Sequence, residues 1–172
     1  MTGIKRAPGT PMPAFRVPSV SGEELDFGAA DDWKMVVVYR GKHCPLCRSY
    51  LSALNLLVDE FQSLGIKIVA LSADPLEKAE IQAREERWRF AIGYDLSIDQ
   101  MRNLGLYISA PRSPMETDRP FSEPTLFIVN PEGRLQIVDI SNAPFSRPDL
   151  RALLDGLRFL RANDYPIRGT RA

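Results

Sequence analysis

The sequence predicts an α/β fold in which a central mixed sheet is flanked by helices. Apolar runs rich in β-branched residues alternate with segments of helical spacing, which is typical of parallel strands joined by crossover helices. The last two apolar runs are separated by only a short turn, so a closing hairpin adds antiparallel edges. At 172 residues and 44% hydrophobic residues, the chain suits one globular domain with a short extension at each end.

The first half of the chain predicts a hairpin, two strands and one helix. Residues 15–27 form two apolar pieces around a Ser-Gly turn, which indicates a hairpin. Residues 35–39 contain three adjacent valines and predict a buried parallel strand, and residues 66–71 predict the next one. Between them, one apolar face predicts a single helix that ends at Gly65. The members of that face are Leu51, Leu54, Leu57, Val58 and Phe61.

The second half predicts two helices, a short strand, a long loop, a hairpin and a final helix. Asp74 is expected to cap a polar helix whose first residue is Pro75 and which continues to Arg89. Three prolines make residues 109–123 a loop, and a connection of that length is usually functional or mobile. The remaining predictions are a strand at 90–94, a helix at 98–104, a hairpin at 126–129 and 135–140, and a helix from about 147 to 160.

These elements give a domain over residues 13–162, preceded by an arm at 1–12 and followed by a polar tail at 163–172. Lys and Arg number 22, as do Asp and Glu, so the net charge is zero. We therefore expect neither a nucleic acid nor a membrane as partner, and nothing in the charge opposes a homodimer. Neither a secretory leader nor an apolar run of about 18 residues is recognisable, so we expect the cytoplasm.

Two cysteines, Cys44 and Cys47, stand where the first central strand passes into a helix. Pro45 suits the first helical position, which makes Cys44 the capping residue and places Cys47 in the first turn. Free backbone N–H groups and the helix dipole stabilise a thiolate there, so we expect a lowered thiol pKa. Residues three apart also come close enough for a disulfide. From cap geometry, Cys44 is expected to be the more exposed and attacking thiol.

Three other interpretations of the pair remain open. A zinc site would need about four ligands, and the chain supplies two cysteines and a single histidine, His43. Two inert core cysteines are a second interpretation, against which the polar run from Gly41 to His43 argues. The third is a redox fold that serves only as a binding or sensing module, which would need one oxidation rather than repeated turnover.

Several segments resemble the alkyl hydroperoxide reductase/thiol-specific antioxidant family, which includes the peroxiredoxins. The similarity covers roughly residues 12–160. It is carried by Pro13-Ala14-Phe15-Arg16-Val17-Pro18, by residues 38–47 around the cysteine pair, by Ala70-Leu71-Ser72-Ala73-Asp74, and by Phe127-Ile128-Val129-Asn130-Pro131-Glu132-Gly133. The resemblance implies a thioredoxin-like fold and thiol-dependent reduction of peroxides.

The chain departs from the family's Pro-x-x-x-Thr-x-x-Cys motif. The motif's cysteine falls on Cys47, its threonine on Cys44 and its proline on Arg40, and the family's late-strand arginine falls on Pro124. These changes favour a thioredoxin-like arrangement, in which a proline before a late strand lies beside a CxxC pair in the cis form. The resemblance therefore implies a cis Glu123–Pro124 bond.

We predict an oxidoreductase that cycles Cys44 and Cys47 between dithiol and disulfide, without a cofactor or metal. Arg40, His43 and Pro124 are the predicted substrate-positioning residues. The oxidant is a peroxide or, in the alternative, a protein disulfide, and the reductant is a thioredoxin or a low-molecular-weight thiol. The family motif favours Cys47 as the first attacking thiol and cap geometry favours Cys44, so the order stays open here.

Overall fold

A computed structural model describes residues 4–30 and 32–171, and its centre is a five-stranded mixed sheet in the order β5-β4-β3-β8-β9. The strands are β1 (Arg16–Pro18), β2 (Glu24–Asp26), β3 (Trp33–Val38), β4 (Ile66–Leu71), β5 (Ala91–Gly93), β6 (Ile108–Ser109), β7 (Phe121–Ser122), β8 (Thr125–Val129) and β9 (Leu135–Ile140). The helices are α1 (Pro45–Leu56), α2 (Val58–Ser63), α3 (Leu76–Glu86), α4 (Ile98–Asn103) and α5 (Leu150–Ala162).

The sheet confirms the predicted fold class. Strands β3, β4 and β5 are parallel, whereas β8 is antiparallel to both β3 and β9. The apolar run of β3 is buried from Met35 to Val38 because both faces of the central sheet are covered. One core cluster includes Met35 and Val37 with helices α1 and α5, and the other includes Val36 and Val38 with helix α4.

This topology brings four chain segments to one edge of the sheet. β3 and β4 end at that edge, and β9 ends there too because two antiparallel pairings restore the direction of β3. β8 begins at the same edge. The residues that follow β3, β4 and β9 and those that precede β8 therefore meet in space, although they are distant in sequence.

The prediction of one continuous helix up to Gly65 is wrong, since the structure divides this segment into α1 and α2. Leu57 has φ −102° and ψ 1°, and its N–H donates to the Leu54 carbonyl three residues earlier, which closes α1. Val58 and Phe61 remain buried in α2, so the apolar face continues across the break. The break therefore leaves the predicted core side of this segment unchanged.

The long loop predicted at 109–123 has secondary structure at both ends. β6 and β7 form an antiparallel pair that joins Ser109 to Phe121, so the loop proper comprises residues 110–120, here called the covering segment. At the termini, the N–H of Met12 donates to the Gly133 carbonyl, and the Tyr165 carbonyl accepts from Gln136. Parts of both the predicted arm and the predicted tail therefore contact the β8–β9 hairpin.

Candidate active site

The cysteine pair has the predicted position at the start of α1. Cys44 is the N-cap residue with φ −102° and ψ 106°, and Pro45 follows at the first helical position. The Cys47 N–H donates to Cys44 Sγ at 3.3 Å, so the capping acceptor is a sulfur rather than the usual oxygen. A thiolate on Cys44 consequently lies at the positive end of a 12-residue helix.

Both cysteines are buried, Cys44 at 1% and Cys47 at 0% exposure, so the expected greater exposure of Cys44 amounts to almost nothing. The polar run before the pair does not keep it in solvent. The His43 ring packs against Phe121 with the centroids 4.6 Å apart, and the Arg40 guanidinium lies over the same Phe121 ring at 4.8 Å. Arg40 and His43 therefore pack against Phe121 of β7, and both cysteines belong to a buried core cluster.

Each sulfur has its own arginine. Arg147 Nη2 lies 2.8 Å from Cys47 Sγ, a contact short enough for a charge-assisted hydrogen bond. Arg40 Nη1 lies 3.9 Å from Cys44 Sγ, and the Arg40 backbone N–H donates to Cys47 Sγ at 3.5 Å. The site can therefore stabilise negative charge on either sulfur, with the closer cation beside Cys47.

The two thiols lose their protons at very different pH. A hydrogen bond from the Cys47 thiol, the Cys47 N–H and the Arg40 guanidinium together lower the pKa of Cys44 to about 6. The hydrogen bond to Cys44 and burial raise the pKa of Cys47, and Arg147 opposes that rise. The pair therefore carries one negative charge near neutral pH, held on Cys44 and shared through the hydrogen bond between the sulfurs.

Arg40 is fixed by two carboxylates. Its Nε lies 3.3 Å from Glu123 Oε2 and its Nη2 lies 3.5 Å from Glu116 Oε1, and its side chain is only 17% exposed. Glu116 belongs to the covering segment and also accepts the Arg112 N–H at 2.7 Å. This ion-pair network holds the Arg40 guanidinium beside Cys44 and attaches the covering segment to the site.

His43 is half-buried and has a lowered pKa, chiefly because burial disfavours its charged form and secondarily because Arg40 is nearby. Neither ring nitrogen has a hydrogen-bond partner within residues 4–30 and 32–171. A neutral imidazole next to Cys44 with both nitrogens available can donate to or accept from a substrate oxygen. Its role as a substrate-positioning residue stays a prediction.

Pro124 is buried at the start of β8, but the predicted cis bond is wrong, since the Glu123–Pro124 peptide is trans. The Pro124 carbonyl accepts the Ser141 N–H at 3.0 Å and the Glu123 N–H donates to the Tyr107 carbonyl at 2.8 Å, so both of these main-chain groups are already paired. Pro124 does line a small cavity together with Tyr50 and Arg147.

Asp74 has a different role from the one predicted. Pro75 is the N-cap of α3, and Asp74 Oδ2 instead accepts the Lys42 N–H at 2.6 Å. A Cβ on Gly41, whose φ is +129°, would lie 2.7 Å from Asp74 Oδ1, so only glycine allows this close approach. Burial raises the pKa of Asp74. The carboxylate therefore fixes the loop that carries Arg40 and His43.

Sequence reasoning missed Arg147 as a functional residue. It lies three positions before α5, and its guanidinium also lies over the Tyr50 ring at 5.0 Å. An arginine beside a proline before a helix carries no local signal of a sulfur contact, and 100 residues separate it from Cys47. The only available clue was topological, since the end of β9 reaches the sheet edge where the cysteine pair lies.

Among the described residues, no group of three or more His, Cys, Asp and Glu side chains is arranged to hold a metal ion. Within that same part of the chain, no helix combines the length and the apolar character that crossing a membrane requires.

The AhpC/TSA family model matches residues 8–138. The chain belongs to the AhpC/TSA family. This membership makes the protein an oxidoreductase of the peroxidase type, and it confirms the resemblance seen in the sequence motifs. Arg147 lies beyond the matched residues. No curated protein matches the chain at a significant level.

Solved structures show the same fold at low sequence identity. A cysteine-to-serine mutant of peroxiredoxin 6 from Arenicola marina has a TM-score of 0.78 and 19% identity over 92% of this chain and 76% of that one. A peroxiredoxin-like protein from Aquifex aeolicus has a TM-score of 0.78 and 16% identity over 92% and 90%. Peroxidoxin BcpB from Mycobacterium tuberculosis has a TM-score of 0.68 and 18% identity over 96% and 99%.

Proposed function

We propose that this AhpC/TSA protein reduces peroxides through the Cys44–Cys47 pair, with Cys47 as the attacking thiol. The observation that carries this proposal is the 2.8 Å contact between Arg147 Nη2 and Cys47 Sγ. A guanidinium at that distance stabilises a thiolate on Cys47 and can donate a second hydrogen bond to an incoming oxygen. Cys47 is also the residue on which the cysteine of the family motif falls.

The negative charge at rest on Cys44 serves the first step. Cys44 accepts the Cys47 proton through the hydrogen bond between the two sulfurs, and the Cys47 thiolate attacks one peroxide oxygen. The O–O bond breaks, the leaving oxygen takes the proton that Cys44 had accepted, and Cys47 becomes a sulfenic acid while Cys44 returns to a thiolate. The peroxide is reduced to water or an alcohol and the sulfur is oxidised by two electrons.

Cys44 then completes the oxidation. Its thiolate attacks the Cys47 sulfenic sulfur, a disulfide forms, and the sulfenic oxygen leaves as water after taking a proton. The lowered pKa of Cys44 keeps it a thiolate at neutral pH, and Arg40 lies beside it. A dithiol, or two monothiols in turn, attacks the disulfide, is itself oxidised to a disulfide, and thereby restores the two thiols of the pair.

We propose a thioredoxin or a low-molecular-weight thiol as the reductant, and therefore a reducing compartment such as the cytoplasm. We also propose a homodimer, since the zero net charge gives copies of the chain little mutual repulsion. Sedimentation of the purified chain at several concentrations measures the dimer directly.

The test compares wild type with Cys44→Ser and Cys47→Ser after each reduced protein is mixed with hydrogen peroxide. We expect rapid sulfenic acid formation in wild type. In Cys44→Ser it should form more slowly, because the thiolate that accepts the Cys47 proton is absent, and it should accumulate, because the thiol that would convert it to a disulfide is absent too. Cys47→Ser should form none at a comparable rate. Slow reaction in all three proteins, or rapid reaction that requires only Cys44, would contradict the proposal.

A second function is favoured by the cap position and lowered pKa of Cys44, which suit attack on a disulfide. In that case Cys44 forms a mixed disulfide with a protein substrate, and Cys47 displaces the reduced product. Reduction of an aromatic disulfide reagent that is fast in Cys47→Ser and absent in Cys44→Ser, together with slow peroxide reaction, would favour this function.

A further inference from the structure

Tyr50 contacts both Arg147 and the residue that follows it. Tyr50 lies three residues after Cys47 on α1, and residues three apart lie on one face of a helix. The Arg147 guanidinium carbon lies over the Tyr50 ring, 5.0 Å from its centroid, and the Tyr50 hydroxyl donates to the Pro148 carbonyl at 2.8 Å. One half-buried side chain therefore holds two consecutive residues of the segment between β9 and α5.

Arg147 lacks the kind of partners that fix Arg40. The Arg40 guanidinium pairs with two carboxylates. Within the described part of the chain, Arg147 makes no ion pair with an acidic side chain, and its Nε has no hydrogen-bond partner. Its guanidinium is contacted instead by Cys47 Sγ, through Nη2, and by the face of the Tyr50 ring. The orientation of Arg147 toward the sulfur therefore depends on an aromatic ring.

The two contacts of Tyr50 act together on Arg147. A cation over an aromatic face is attracted by the negative charge of that face, and the attraction is stronger where water is partly excluded. The hydrogen bond to Pro148 fixes the main chain directly after Arg147. We propose that Tyr50 is a positioning residue that holds Arg147 Nη2 against Cys47 Sγ. It acts through Arg147 and need not touch the substrate.

The first experiment measures the pKa of Cys47 in Cys44→Ser, where a single thiol titrates, from the ultraviolet absorbance of the thiolate. The Arg147 charge lowers the pKa of Cys47, against the effects of Cys44 and of burial. Adding Tyr50→Leu should raise this pKa by about 0.5 to 1, because the guanidinium is no longer held at the sulfur. An unchanged pKa would overturn the proposal.

A double-mutant cycle shows whether Tyr50 acts through Arg147. In Cys44→Ser/Arg147→Met, Tyr50→Leu should change the pKa of Cys47 by less than about 0.2, because there is no guanidinium to position. An equal rise with and without Arg147 would show a general disturbance of the fold and would overturn the proposal.

Two further substitutions at position 50 separate the charge of the ring face from its shape. Tyr50→Phe keeps the ring and loses only the hydroxyl, so the rise in the pKa of Cys47 should be less than half of that in Tyr50→Leu. Tyr50→pentafluorophenylalanine keeps the shape but withdraws the negative charge from the ring face, so the rise should equal that in Tyr50→Leu. This pair suffices if Tyr50→Leu does not fold, and equal pKa values in the two proteins would overturn the proposal.

Tyr165→Leu is the matched control. Arg168 lies over the Tyr165 ring at 5.9 Å, so the same substitution removes a contact of the same kind. Tyr165 contacts Gln136 at the start of β9, at the sheet edge opposite the cysteine pair. The pKa of Cys47 should therefore stay unchanged, and a rise equal to that in Tyr50→Leu would overturn the proposal.

The rate of peroxide reduction provides a second readout, which rests on the proposed function. With both cysteines present, the second-order rate constant for hydrogen peroxide should fall about tenfold in Tyr50→Leu and about twofold to threefold in Tyr50→Phe. A raised pKa of Cys47 in a chain that does not reduce peroxide would contradict the proposed function alone. Peroxide reduction at an unchanged rate and an unchanged pKa in Tyr50→Leu would contradict this inference alone.

Discussion

At the scale of single residues, the chemistry depends on which cation faces which sulfur. Arg147 is the closer of the two arginines, with Nη2 2.8 Å from Cys47 Sγ, whereas Arg40 Nη1 lies 3.9 Å from Cys44 Sγ and the Arg40 guanidinium also pairs with two carboxylates. The two carboxylates offset part of the charge that Arg40 presents to Cys44. The attacking step should therefore depend more strongly on Arg147 than on Arg40.

Replacing Arg147 with methionine tests this dependence, because methionine keeps much of the bulk and removes the charge. We expect sulfenic acid formation to slow by about 10²-fold, the usual order of loss when one donor to a reacting anion is removed. Arg151→Met is a matched control. Arg151 lies in the first turn of α5 and pairs at the surface with Glu60 of α2. Stopped-flow measurement with hydrogen peroxide should show a change within about twofold for that control.

The pH dependence follows from the charge shared by the two sulfurs. Because the pKa of Cys44 is lowered to about 6, the thiolate persists down to that pH and disappears as pH falls further. The rate of reaction with peroxide should be constant above pH about 7 and fall through a midpoint near 6. In Arg40→Met the midpoint should move upward, since Arg40 stabilises the Cys44 thiolate.

Rates measured from pH 4.5 to 8 by stopped flow check this profile, with circular dichroism at each pH to confirm that the fold is retained. A rate that is unchanged down to pH 4.5, or that begins to fall already above pH 8, would show that the Cys44 thiolate does not control the reaction.

At the scale of elements, hydrophobic periodicity was sufficient for most of the fold. The valine run of β3 and the helical spacing around Leu51 and Leu54 are local patterns, and the structure places both where the patterns indicate. The break at Leu57 left no such pattern, because Val58 and Phe61 continue the same apolar face in the next helix. A hydrogen bond three residues back ended α1, and sequence periodicity does not report such a closure.

The sequence predicted only those parts of the site that are formed by residues adjacent in the chain. The cap position of Cys44 and the first-turn position of Cys47 follow from four consecutive residues and from helix geometry. The burial of Cys44 was not predicted because Phe121, which packs on His43, comes from a strand far along the sequence. Arg147 was missed for the same reason, since only the antiparallel return of β8 and β9 brings it to the cysteine pair.

At the scale of the whole molecule, the covering segment is attached to three separate parts of the fold. Glu116 contacts Arg40 after β3, Asp118 contacts Lys78 on α3, and Arg119 contacts Asp95 before α4. Both sulfurs are buried while these contacts hold. Arg40, which contacts Cys44, is paired with Glu116 of this segment, so we expect the outer ion pairs of the segment to influence the accessibility of the thiols.

Loss of the ion pairs that Asp118 makes with Lys78 and Arg119 should make the cysteine pair more accessible. Lys78 Nζ lies 2.5 Å from Asp118 Oδ1, and both side chains are partly exposed, so the contact contributes modestly and is weakened by salt. In Asp118→Asn we expect iodoacetamide to alkylate Cys44 roughly two- to fivefold faster than in wild type. High salt should reduce this difference, because it weakens the same ion pair in wild type.

Asp99→Asn removes a surface ion pair with Arg102 that lies on α4, and its alkylation rate should match wild type. Equal rates in Asp118→Asn and wild type at low salt would show that the covering segment does not control access to the pair.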